Sequence, residues 1–258
     1  MFKSHPTALV DPRAELGEDV EIGPYSIINE GVIIGDGTKI ISHVVIESGT
    51  QIGKNCQIFS GCILGNPPQH LKYAGEKTLL VIGNNNIIRE GVTMHRGTPF
   101  DKGITQIGDN NYLMAYVHIA HDCTLGDYNI MANLATLAGH VTLEDHVQIS
   151  GLVSVHQHVR FGRYSIVGGS TKVVKDIPPY MLADGNPAEV CGVNLVGLKR
   201  NNFPEDTKSA LRKAYRLIYR SNLNVSQAIA KIEEELIQFL EIQHLIDFIR
   251  NSKRGITR

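Results

Sequence analysis

The sequence predicts a mainly β fold: a solenoid of short parallel strands over residues 1–190, followed by a helical domain over residues 191–258. Two observations carry that prediction. An apolar residue returns at every sixth position through most of the chain, and beyond Pro204 the period becomes helical.

From Val10 the sixth residues are Leu16, Ile22, Ile28, Ile34, Ile40, Ile46, Ile52, Ile58 and Leu64, ten positions without a polar one. A helix cannot keep a period of six on one face, and a hairpin sheet has no cause to repeat it. A chain that lays down one short strand per hexapeptide and then turns does both. Small residues such as Gly17, Gly35 and Gly53 follow many of these positions, as a tight bend requires. The next two slots fall on His70 and Glu76 inside NPPQHLKYAGEKT, an inserted loop, before Ile82, Ile88 and Met94 resume the series. A second interruption, RGTPFDKG, shifts the phase by one, and twelve apolar slots follow from Ile107 to Val173. Valines two positions earlier (Val117, Val141, Val147, Val153, Val159) give a second inward residue per strand. Past Ile177 the chain is turn-rich. Pro204 suits a first helical position with Glu205 and Asp206 in the first turn, Asn224 and Gln227 form a capping-box pattern for a second helix, and a third runs from about Ile242 to Arg250.

Composition narrows the function classes. An apolar share of 42% against 20% charged residues is that of a chain with a buried core. With 25 basic and 26 acidic residues the net charge is −1, which argues against a wholesale nucleic-acid or anionic-membrane binder. No apolar stretch approaches the roughly 18 residues of a transmembrane helix, and MFKSHPTALV lacks the build of a signal peptide. A cytoplasmic protein without stable membrane insertion is expected. Cys56, Cys62, Cys123 and Cys191 form no CxxC pair and are expected as free thiols.

If three hexapeptides close a coil, residues three repeats apart stack at roughly 4.8 Å. On that map His121, Gly139 and Gln157 form one column, and Asp122, His140 and His158 form the next. His121 then has a carboxylate to orient it, and Gly139 one coil away offers a backbone N–H that no side chain blocks. A base beside an open amide donor suits acyl transfer. Zinc is the rival for such a histidine cluster: the Asp122, His140, His158 column imitates part of a three-imidazole site, without an obvious third imidazole of matching orientation. Cys123 occupies an inward slot and is expected as a buried, inert thiol rather than a nucleophile.

Six segments carry a family resemblance: LKYAGE (Leu71 to Glu76), HRGT (His95 to Thr98), HIAHDCTLGD (His118 to Asp127), LAGHV (Leu137 to Val141), VHQ (Val155 to Gln157) and GVNLVGLKR (Gly192 to Arg200). As an ordered set they resemble the UDP-N-acetylglucosamine O-acyltransferases that begin lipid A synthesis, over nearly the whole chain, including AYRLIYRS in the tail. The resemblance implies a left-handed parallel β-helix, assembled as a homotrimer with active sites between subunits. It implies transfer of an (R)-3-hydroxyacyl chain from acyl carrier protein to the glucosamine 3-hydroxyl of UDP-N-acetylglucosamine, with no metal or redox cofactor. It implies His121 as general base, Asp122 in support and the Gly139 N–H as oxyanion donor. Lys72, His95, His118, His140 and Gln157 match positions lining the sugar-nucleotide or acyl-donor cleft, and His156, Asn194 and Arg200 would contact the substrate or its phosphates. Gly169 matches the place where the acyl groove is lengthened or blocked; a glycine leaves it open, so chains of about fourteen carbons are expected over chains of about ten. Seven basic residues from Lys199 to Arg220, against Glu205 and Asp206, suit a helix that steers an acidic carrier protein.

The sequence departs from the family pattern at His70, where an aspartate is commoner, at Val196, where an acidic residue is, and at Asn201, where a second arginine usually follows. His158 stands where relatives are usually aromatic. These departures keep the 3-amino analogue of the sugar nucleotide open as acceptor. An N-acyltransferase of a later glucosamine intermediate is a second enzyme reading, opposed by repeats that begin by Val10 where that family has an extra N-terminal domain. A non-catalytic solenoid or metal-binding trimer is the reading of a different class.

Overall fold

The structure is a computed structural model and describes residues 2–258. Short strands, most of two residues and most ending on one of the six-residue slots, stack into three sheets of eleven, nine and eight strands. The chain visits the sheets in rotation: Ile130–Met131 lies in the eleven-stranded sheet, Thr136–Leu137 in the nine-stranded and Thr142–Leu143 in the eight-stranded. Within uninterrupted coils neighbours are parallel and three hexapeptides apart, as Ile119 pairs Leu137, Leu137 pairs Val155 and Val155 pairs Val173. The result is a parallel β-helix of triangular section, one hexapeptide per side.

Slot residues fill the interior. Ile46, Ile58, Leu64, Met94, Leu113, Ile119, Leu137 and Phe161 have no exposed surface, and neither do the second inward residues Val117, Val141, Val153 and Val159. Each such side chain stabilises the fold by roughly 1.5–3 kcal/mol relative to exposure. At the corners the chain turns through a left-handed residue, with φ of 60° at Asp122, 62° at His140 and 62° at His158. Asn, Asp and His tolerate this conformation better than most side chains, one reason the coils carry histidine at these turns.

Both inserted loops leave the nine-stranded sheet and enter the eight-stranded one, so they project from the same corner. Across the first, Ile58 pairs Ile88, thirty residues on; the loop adds two whole hexapeptides and the phase survives. Across the second, Ile88 pairs Leu113, twenty-five on, one residue more than a whole repeat, which accounts for the shift by one.

After an antiparallel pair, Met181–Asp184 with Glu189–Val193, come four helices: α1 (Leu195–Arg200), α2 (Glu205–Tyr219), α3 (Val225–Leu236) and α4 (Leu240–Arg250). The short α1 was not expected. Pro204 is the N-cap of α2 rather than its first helical residue, because its ψ of 150° is extended and the helix starts at Glu205. The capping box of Asn224 and Gln227 on α3 forms in both directions. The tail then returns to the solenoid: Thr257 N–H donates to Asp176 O at 2.8 Å, and Arg160 lies over the Phe248 ring at 4.5 Å.

Candidate active site

The corner between the nine- and eight-stranded sheets gathers the chemistry. On successive coils it carries the loop with Lys72, the loop with Thr98 and Asp101, then His121–Asp122, Gly139–His140 and Gln157–His158. The two columns form. The His121 ring lies so close over Gly139 that a Cβ there would sit 2.6 Å from Cε1. His140 and His158 stack 4.4 Å apart at 13°.

His121 and Asp122 are both 5% exposed, with Nδ1 of the ring 2.8 Å from Oδ2 of the carboxylate. Asp122 is fixed independently of the ring: Oδ1 accepts the Thr98 N–H at 2.8 Å, Oδ2 accepts the Thr98 hydroxyl at 2.7 Å, and its own N–H donates to Thr105 Oγ1 at 2.8 Å. A carboxylate held as an acceptor in this way receives a hydrogen bond from the Nδ1–H of the ring, the tautomer that leaves Nε2 with a lone pair. The Gly139 N–H donates to no group among the described residues. Asp101 from the second loop accepts from or pairs with His140 Nδ1 at 2.9 Å, turning His140 Nε2 toward Asp122 at 3.8 Å. An imidazole with a free nitrogen beside an unused amide donor can take a proton from a hydroxyl and hold an oxyanion.

Other expected residues distribute around this corner. His95 is 6% exposed with Nδ1 unpartnered; burial first, then the His118 and His121 rings, push its pKa down to about 4. His118 accepts or shares a hydrogen bond with Thr93 Oγ1 at 2.7 Å, and burial lowers its pKa too. Gln157 and His156 line an exposed cleft of about 400 Å³ on the nine-stranded face. Lys72 is exposed on the first loop, whose His70 ring lies edge-on to His121 at 5.5 Å. Three residues lie elsewhere in the single chain. Asn194 sits near the next corner, its amide donating to Tyr164 O at 2.8 Å and accepting from Gly197 N–H at 3.0 Å to cap α1. Arg200 ends that helix, and Gly169 is at the third corner.

Sequence reasoning missed Thr98 and Thr105, which hold Asp122, and Asp101, which pairs with His140. The only signal of Thr98 and Asp101 was the loop that broke the period; Thr105 lies in the strand that follows it, Ile104–Ile107. His146 belongs to another corner, stacked between Tyr128 and Tyr164 at 4.9 and 4.5 Å. Ligand-like atoms converge within 4.8 Å at His121, Asp122 and His140, not at His158, whose ring lies flat on His140 so that their nitrogens do not face a common point. Cys123 is fully buried and its thiol is pushed up to about 12 by burial. On α2, Lys208 and Arg212 pair with Glu205 at 2.8 and 3.0 Å and Lys213 with Glu235, leaving Arg216 and Arg220 without a carboxylate partner among the described residues.

Fold and corner together define a hexapeptide-repeat transferase, and the comparisons agree. The bacterial transferase hexapeptide model matches residues 13–48 and 104–139, and the second-domain model of UDP-N-acetylglucosamine O-acyltransferase matches residues 176–257. The UDP-N-acetylglucosamine O-acyltransferase of Thiobacillus denitrificans is 52% identical over 258 residues, covering 100% of both chains, and that of Halorhodospira halophila is 50% identical over the same span. Solved structures of the UDP-N-acetylglucosamine acyltransferase from Bacteroides fragilis (43% identity, TM-score 0.97, 98% of this chain and 99% of that one) and of the O-acyltransferase from Moraxella catarrhalis (46%, TM-score 0.96, 99% of each) superpose on it. The chain belongs to the UDP-N-acetylglucosamine O-acyltransferase family.

Proposed function

We propose that this enzyme transfers an (R)-3-hydroxyacyl chain from acyl carrier protein to the glucosamine 3-hydroxyl of UDP-N-acetylglucosamine, the first step of lipid A synthesis. The observation that carries the reading is the His121–Asp122 dyad, anchored by Thr98 and set against the unused Gly139 amide. His121 Nε2 removes the hydroxyl proton as the oxygen attacks the thioester carbonyl. Asp122 stabilises the imidazolium, the Gly139 N–H holds the oxyanion, and collapse of the tetrahedral intermediate releases the carrier thiol, which regains the proton from His121. His140, His118, His95 and Lys72 line the acceptor side of this corner, and His156 and Gln157 the cleft on the nine-stranded face.

A homotrimer accounts for the residues on the other corners: a neighbouring chain brings Asn194 and Arg200 to His121, and Gly169 bounds the acyl groove. The unpaired Arg216 and Arg220 suit contact with an acidic carrier protein. Among residues 2–258 no helix is long and apolar enough to cross a membrane.

The test is a mass-spectrometric product assay with (R)-3-hydroxyacyl carrier proteins of several chain lengths, with wild type and His121→Ala. A 3-acylated sugar nucleotide from wild type, reduced by about a thousandfold or more in the variant, is the expected result. The 3-amino analogue is the second acceptor to include, because His70, one of the departures from the family, lies against His121. Absence of product from both sugars would overturn the reading.

A further inference from the structure

Beside the dyad, on the eight-stranded face, the returning C-terminal segment leaves a cleft of about 620 Å³ lined by His140, His158, Arg160, Lys253 and Arg254, with Asp176 at its base. Its cations are held open. Arg160 Nη1 donates to Asn251 O at 3.1 Å and its guanidinium rests on the Phe248 ring. Arg254 donates to Val174 O at 3.3 and 3.1 Å and reaches His156 Nδ1 at 3.3 Å. Carbonyl oxygens thus fix both guanidinium planes without neutralising them, and among the described residues neither arginine nor Lys253 has a carboxylate oxygen within 4.0 Å. The one acid in the lining, Asp176, is 1% exposed and already accepts the Arg160 N–H at 2.9 Å and the Ser252 hydroxyl at 2.7 Å, and Asp101, outside the lining, is engaged by His140 Nδ1 at 2.9 Å. Three unneutralised cations in one cleft, two of them preorganised forks, match a multiply charged oxyanion.

We propose that this cleft is a phosphate-binding subsite, formed by Arg160, Lys253 and Arg254 beside the His140–His158 stack, for a phosphate group of a reactant seated at His121. The assignment to a reactant rests on the acyl-transfer reading; the anion site itself does not. The His121 and His140 rings are 5.2 Å apart and His140 and His158 4.4 Å, so the column leads from the reacting corner into the cleft within about the reach of a hexose and its anomeric phosphates. Two reactants carry phosphate: the sugar nucleotide, as a diphosphate, and the carrier protein's arm, as a phosphodiester.

Titration calorimetry of the full chain with inorganic pyrophosphate, UDP and 4′-phosphopantetheine tests this without turnover, so its failure and a failure of acyl transfer are separate results. Wild type is expected to bind pyrophosphate with an affinity that falls as salt rises. Lys253→Glu, at an exposed position that leaves the packing alone, and Arg160→Gln should each weaken it about tenfold or more, with the melting temperature recorded as the check on folding. A parallel loss for UDP assigns the subsite to the nucleotide diphosphate, and a parallel loss for phosphopantetheine alone assigns it to the carrier arm. Pyrophosphate that fails to bind wild type, or that binds the folded Lys253→Glu protein as tightly as wild type, overturns the proposal.

Discussion

At Gly139 the absence of a side chain is what lets an imidazole lie on the backbone, since a Cβ would meet His121 Cε1 at 2.6 Å and Nε2 at 3.0 Å. Gly139→Ala is therefore expected to push the ring out of line with the amide and lower kcat by about a hundredfold, with a melting temperature close to that of wild type; steady-state kinetics and thermal unfolding check both parts. His95 makes a different expectation. Its native pKa of about 4 lies below the ordinary 6.5, so below that ordinary value the unfolded chain takes up a proton that the folded one refuses. Stability from this group is full above about pH 6.5, falls as pH drops through the window to about 4, and levels off beneath it, a loss on the order of 3 kcal/mol. Urea midpoints measured across that window should show the slope in wild type and a shallower one in His95→Gln, with His118 and His158, lowered in the same direction, supplying the remainder. The dyad itself was legible in the sequence because His121 and Asp122 are adjacent and Gly139 stands three repeats away. Thr98 and Asp101 were not, because a loop has no period to place them.

The two inserted loops work as elements. The first, which carries Lys72, is pinned by one arginine from the base of the second: Arg96 donates to the Tyr73 hydroxyl at 2.9 and 3.3 Å and to Gly65 O at 3.1 Å, while the Tyr73 hydroxyl donates to Glu76 O at 2.6 Å. Tyr73→Phe removes the loop's side of this clasp and keeps the ring. It is expected to raise KM for the sugar nucleotide severalfold with kcat nearly unchanged, read from initial rates with the acceptor varied, since the residue positions Lys72 and touches no reacting atom. Strands were readable because each repeats a buried slot, and α3 because its cap is written in Asn224 and Gln227. Helix α1 escaped notice: six residues with Leu198 alone buried leave no amphipathic pattern to detect.

For the whole molecule, the expected site residues fall on three different corners of the prism, and one chain does not bring Arg200 to His121. In the proposed trimer each site is shared, so when His121→Ala and Arg200→Ala chains are co-expressed with different tags, every trimer holding both has one intact site of three and should show about a third of wild-type activity, although each variant alone is impaired. Product assays on the doubly purified oligomer check this, and no recovery would mean that each chain builds its site alone. The sequence by itself determined the coil: a period of six sets the strand length, three periods set the stacking, and stacking alone puts His121 over Gly139, because these are local distances repeated along one axis. Only the tertiary structure decided what surrounds that column. The loop that anchors Asp122 and the C-terminal segment that closes the cationic cleft against Arg160 are brought in from 24 and up to 91 residues away, by contacts that leave no periodic trace in the chain.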